Sequence, residues 1–151
     1  MARPARTPIG LHLARVAREV SRAFDDALVA AGGSLPVWLV LISLKSREIG
    51  NQRELAEAMG IQGATLTHHL NAMESAGLVT RRRNSENRRA HVVELTTAGD
   101  ALFLRLREAA LGFDTRLRSG FADGDLATVE ELLSRLRDNA ASVAAGGDGH
   151  R

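Results

Sequence analysis

Residues 62–95, QGATLTHHLNAMESAGLVTRRRNSENRRAHVVEL, constrain the fold more than any other stretch, because they combine a helix, a stop and an arginine-loaded hairpin. Over residues 62–76, Leu66, Leu70 and Met73 recur at spacings of four and three, which places them on one side of a helix. That side is expected to pack inward. At about 100° per residue, Ala64, His68, Asn71, Ala72 and Ser75 fall on the far side, flanked by Thr65 and Thr67. Gly77 stops the helix, since the residue past the last turn commonly takes a left-handed backbone that glycine adopts without penalty. A strand follows, in which Val79, Arg81 and Arg83 alternate with Thr80 and Arg82. Asn84, Ser85, Glu86 and Asn87 supply a turn, and Val92, Val93 and Leu95 return as a second strand.

Across that turn Arg81, Arg82, Arg83, Arg88 and Arg89 face one acid, Glu86. Guanidiniums so crowded repel one another and resist burial, so they need an anionic partner, of which a phosphate backbone is the obvious one. Charge runs alone are commonly just solvated faces. The arrangement carries more weight: a helix with a small polar face, followed directly by a basic ribbon, can fill a major groove and grip the flanking backbone together. The basic character is also local. Of the chain's 20 basic and 18 acidic residues, removing these five arginines and Glu86 leaves 15 against 17. Such a distribution suits a protein that meets nucleic acid with one face.

The rest of the 151 residues reads as helices around this centre. Pro4 and Pro8, among Arg and Thr, mark residues 1–8 as a flexible basic arm. Ile9, Leu13, Val16, Val20, Phe24 and Leu28 keep helical spacing to near Gly32 and Gly33. That first helix is about 33 Å long at 1.5 Å per residue, more than so small a domain covers. Ser34, Leu35 and Pro36 open a second helix, apolar nearly all round over residues 37–44 and so expected at the centre. Asn51 with Glu54 matches a capping box for a third helix over residues 52–59, and the turn at Gly60 makes a helix-turn-helix with the 62–76 helix. Thr97 with Asp100 resembles another cap, before a helix running to about Ser119. A final helix is expected over residues 125–143, with residues 145–151 a disordered tail. The fold class is therefore mainly α (α+β): a winged helix-turn-helix over residues 34–96, with long terminal helices at 9–33 and 97–144. Their apolar stripes exceed what the centre can cover, so a symmetric homodimer is expected.

Composition closes several alternatives. Without cysteine there are no disulfides, thiolate metal sites or thiol nucleophiles. His68 and His69 are adjacent and cannot face one another on a helix, where neighbours lie three or four apart; no metal site or cofactor is expected. No phosphate-binding glycine loop or nucleophile elbow is present, so no enzyme is expected. Aromatics make up 3% of the chain, too few for the stacking that holds single strands, which favours double-stranded DNA. The longest apolar run, residues 37–42, falls far short of the roughly 20 residues a membrane span needs, so a cytoplasmic protein with no membrane partner is expected.

The order of elements, with LAEAMGIQGATLTHHLNAMESAGLVTRR and NSENRRAHVVELTTAG, resembles the MarR family of winged helix-turn-helix transcription regulators. The most specific part is Gly77, Leu78 and Val79 with Arg81, then Arg88, Arg89, and Leu95 and Thr96 before Gly99. The resemblance covers residues 11–143. It implies a homodimer joined through its terminal helices, one recognition helix in each of two major grooves, and wing arginines, here Arg88 and Arg89, in the minor groove. It also implies a small aromatic or anionic effector held between the dimerisation and DNA-binding regions. One departure stands out: Asn84 and Asn87 replace the aspartates usual before the arginine pair. A neutral amide can accept from an arginine but lacks the opposite charge and the bidentate grip of a carboxylate, so it holds the arginine more weakly.

The DNA-contact set expected from both arguments is Gln62, Thr65, Thr67, His68, Asn71, Arg81, Arg88 and Arg89. Threonine hydroxyls reach phosphates, Asn71 pairs with adenine, and His69 lies on the flank. For the effector, a cavity between the first, second and fifth helices is expected, with His12, Arg15, Trp38 and Phe113 as lining. For Trp38, plain core filling is the competing reading. The competing reading of the whole chain is a winged helix that binds protein and not specific DNA.

Overall fold

The computed structural model describes residues 6–46, 51–83, Glu86 and 91–146, with side chains to 144. Arg88, Arg89, Asn84 and Asn87, residues 1–5 of the arm, residues 47–50 and the tail past 146 lie outside the described residues. The element order is α1 (Ile9–Ala30), α2 (Leu35–Ser46), α3 (Gln52–Met59), α4 (Gly63–Ser75), β1 (Val79–Arg83), β2 (His91–Leu95), α5 (Thr97–Leu117) and α6 (Asp123–Gly146). This is the winged helix-turn-helix predicted from the sequence.

Local chemistry sets the boundaries. The α2 start is capped from two sides: the Leu35 N–H donates to Asp25 of α1 at 2.8 Å, and the Val37 N–H to the Ser34 hydroxyl at 3.3 Å. Pro36 fits the first turn because an N–H there has no helical partner. At α3 the expected box forms, with the Glu54 N–H donating to Asn51 Oδ1 at 3.0 Å and Asn51 Nδ2 to Glu54 Oε1 at 3.3 Å. Gln62 and Ala76 serve as the caps of α4, not as its terminal turns. Gly77 then takes φ +73°, the left-handed backbone that lets the chain turn into β1. The cap of α5 is Thr96, one residue before the expected Thr97. Its hydroxyl accepts from the Gly99 N–H at 3.1 Å and donates to the Gly77 carbonyl at 2.6 Å, a position Thr97 cannot share. Asp100, the expected capping acid, instead pairs with Lys45 of α2 at 2.9 Å.

The chain divides into two compact units, Met1–Phe113 and Asp114–Arg151. In the first, Leu28, Trp38, Val40, Leu41, Leu55, Leu66, Leu70, Met73, Val79, Val93, Leu102 and Leu106 form one buried cluster. Fully burying each leucine or methionine contributes about 1.5–3 kcal/mol, so the stripe on α4 alone holds that helix firmly. The hairpin is antiparallel, in the register Val79 to Leu95, Arg81 to Val93 and Arg83 to His91. On α1, Ile9, Leu11, Leu13 and Val16 stay exposed. In the second unit, the Ala122 N–H donates to Asp125 at the start of α6. This helix begins two residues before the expected position and continues through Ala145 and Gly146, which the sequence assigns to the tail. Val129, Leu132 and Leu133 are 44–47% exposed on it. No single helix among the described residues is long and apolar enough to cross a membrane.

Gly99 seats α5 on the corner between α4 and β1, because a Cβ there would overlap the Leu78 carbonyl oxygen. Gly99→Ala should lower the free energy of urea unfolding by about 1–3 kcal/mol, the usual range for overpacking. An unchanged unfolding midpoint would show that the corner yields freely.

Candidate nucleic-acid interface

Because Leu66, Leu70 and Met73 point into the core, the opposite side of α4 faces outward: Ala64, Thr65, His68, Asn71 and Ala72 are exposed, as is Gln62 at the cap. The two alanines leave room for close approach. His69 is half-buried, and its ring meets that of His68 edge to face with centroids 5.8 Å apart, a contact not expected of adjacent helical positions. Thr67 is different. Its hydroxyl accepts from Gln52 Nε2 at 2.8 Å and donates its only proton to the Gly63 carbonyl at 2.9 Å. It ties α3 to α4, a role its flanking position does not reveal.

The register of the hairpin explains Arg81. Side chains two apart share a face, so Arg81 lies on the face of Val79 and Val93, both buried, and its side chain is only 19% exposed. A guanidinium there needs acceptors, and Glu74 and Asn71, three apart on α4, supply them. The Arg81 N–H donates to Glu74 Oε2 at 3.1 Å, Nε to the same oxygen at 3.3 Å, and Nη2 to Glu74 Oε1 at 3.2 Å and Asn71 Oδ1 at 2.6 Å. The Arg81 hydrogen bonds hold the Glu74 carboxyl below its usual range; the charge attraction of Arg81 and, more weakly, His91 adds to this. On the opposite face Arg82 Nη2 donates to Glu94 Oε1 at 2.9 Å. Five free guanidiniums are therefore not what the hairpin presents. Counting acids only across the turn leaves out Glu74 on α4 and Glu94 on β2. The alternation of Val79, Arg81 and Arg83 is the signal that points to the first omission.

A cleft of about 760 Å³ lies between α3, the start of α4 and the hairpin, with Gln52, Arg53, Thr67, Arg81 and His91 on its walls. None of the residues expected around an effector lines it. His12 and Arg15 are exposed on α1. Trp38, 8% exposed, stacks on Phe103 of α5 with centroids 5.7 Å apart, whereas Phe113 meets Phe24 at 5.2 Å. The two rings expected to share a cavity thus have separate aromatic partners, and Trp38 fills core. Among the described residues no cluster of three or more metal-ligating side chains occurs.

The Glu74 shift carries a pH dependence. A carboxyl whose folded-state pKa is depressed contributes stability that is complete above the ordinary carboxylate range and is lost as pH falls through the folded value. Glu74→Gln should therefore be less stable than wild type at neutral pH in urea unfolding. The gap should close as pH falls below the carboxylate range. A gap independent of pH would mean that the ionised pair contributes nothing.

Comparisons with known proteins agree with this geometry. A sequence model of the MarR family matches residues 34–91. The transcriptional regulator PA3341 is 32% identical, with 89% of this chain and 99% of that one covered and a TM-score of 0.70. CouR of Rhodococcus jostii RHA1 with p-coumaroyl-CoA is 25% identical over 89% and 95% of the two chains, with a TM-score of 0.70. The repressor CouR on a 23-mer DNA duplex gives 24% identity, 86% and 92% coverage and a TM-score of 0.77. The helix-turn-helix, the wing and the flanking helices together place the chain in the MarR family of transcription regulators.

Proposed function

We propose that the chain is a homodimeric, sequence-specific repressor that binds an inverted repeat and is released by a small aromatic or anionic effector. The observation that carries this is α4: its apolar stripe is locked into the core while Thr65, His68 and Asn71, with Gln62 at its cap, stand exposed. Those four are the groove contacts, and Arg88 and Arg89 the wing contacts. Thr67 and Arg81 act from behind, holding α4 against α3 and β1. The exposed stripes of α1 and α6 supply the surface for a second copy. Two recognition helices related by a two-fold axis fit half-sites roughly one helical turn apart. CouR, a repressor with a DNA-bound form and a form bound to p-coumaroyl-CoA, supports both halves of the reading. Ligand binding acts by favouring a spacing of the recognition helices that the operator does not match. The protein-binding alternative gains one point, since Arg81 and Arg82 are neutralised within the domain.

Fluorescence anisotropy with the DNA flanking the protein's own gene, against a scrambled duplex over a salt series, separates the two. Tight, salt-dependent preference for the flanking DNA at two protomers per site is expected. Equal weak binding to both would favour the interaction module. Arg88→Ala and Arg89→Ala should each weaken binding to all sequences and reduce the salt slope by about one. A slope unchanged in both would remove the wing from the contact set.

A further inference from the structure

The side-chain amide of Asn71 stands where α4 meets the wing, and its orientation is fixed. Arg81 Nη2 donates to Asn71 Oδ1 at 2.6 Å, and a guanidinium has only donors, so the amide must turn its carbonyl toward β1. The guanidinium itself has little freedom: Glu74 takes three hydrogen bonds from Arg81, one of them from its backbone N–H. Asn71 nevertheless remains exposed. What it offers outward is the Nδ2 group and its protons. We propose that Asn71, its carbonyl drawn toward β1 by Arg81, reads the major groove chiefly as a donor and therefore selects acceptor-rich base edges, guanine above all. The inference rests on α4 being the recognition helix.

The chemistry follows from the base edges. A free asparagine pairs with adenine through two bonds, its amide donating to N7 and its carbonyl accepting from N6. Oδ1 keeps a second lone pair, but with the carbonyl drawn toward β1 by Arg81 the side-by-side geometry that the second bond needs is disfavoured. Guanine presents N7 and O6, both acceptors, which suits an NH2 group, and thymine presents O4. Cytosine N4 sets a donor against a donor. Arg81 touches no base in this scheme. It is a positioning residue that decides which end of Asn71 the DNA meets.

The test measures the relative affinity of every single-base variant of one operator half-site for wild type and four variants. At one position wild type should favour guanine over adenine by at least about fivefold, and Asn71→Ala should lose that preference there alone. Asn71→Asp keeps the partnership with Arg81 and presents only acceptors, so the preferred base should become cytosine. Arg81→Met frees the amide, and adenine should reach at least parity with guanine while other positions keep their ranking. Arg81→Lys, which still donates to Oδ1, should retain the guanine preference. Should Arg81→Met fail to fold, nitrogen-15 relaxation of the Asn71 NH2 group in the DNA-free wild type decides: an amide as rigid as the backbone supports the lock, and a mobile one overturns it. Adenine preferred by wild type at the Asn71 position, or an unchanged guanine preference in Arg81→Met, overturns the proposal while leaving α4 as the recognition helix. Wild type without any base preference overturns both.

Discussion

Burial of Leu66, Leu70 and Met73 is the constraint on which the rest of the domain depends. A helix that sinks three side chains at helical spacing into a close-packed core cannot turn about its own axis without opening voids, and voids are costly. Its outward residues are then fixed by arithmetic. Other contacts refine what the stripe sets. The link from Gln52 through Thr67 to Gly63 holds the first half of α4 against α3. The contacts of Arg81 with Glu74 and Asn71 hold the second half against β1. Thr96, bonded to both Gly77 and Gly99, joins the corner to α5.

Polar chemistry is kept out of the core: no described polar or charged residue is buried. The organising polar contacts sit at its rim, where partial shielding makes them stronger than fully wet pairs. Arg53 with Glu57 and Arg118 with Asp114 are exposed pairs one helical turn apart, of a kind that contributes about 0.3–0.5 kcal/mol. Arg81 differs in being largely covered, and in adding its backbone N–H and a second acceptor, Asn71, to the ion pair. Charge-assisted bonds of that kind are roughly twice as strong as neutral ones.

Periodicity made the elements legible. The 52–59 helix, its Asn51 cap, the 3.6-residue stripe of α4 and the alternation of the hairpin all follow from local sequence, and each is present. Partnerships were harder, because they join residues far apart in the chain. Trp38 and Phe113 look alike as aromatics on apolar stripes, yet one finds Phe103 and the other Phe24. Thr96 and Thr97 are adjacent hydroxyls, and which one caps α5 depends on where β2 releases the chain. Arg81 reads as one of five equal charges until the register places it over Val79 and Val93. The extension of α6 through Gly146 reflects a glycine penalty of only about 1 kcal/mol, too small to stop a helix already formed.

Glu74 and Glu94 also bear on how such a protein searches a chromosome. An arginine already matched to a carboxylate displaces few counterions from DNA, and a nearby carboxylate repels phosphates that arrive out of place. Random sequence is bound chiefly through such counterion release. On DNA, a domain that neutralises Arg81 and Arg82 internally would linger less on each wrong site than its arginine count suggests. Shorter stays at wrong sites mean more sites sampled in the same time, so the two acids favour speed of search over grip.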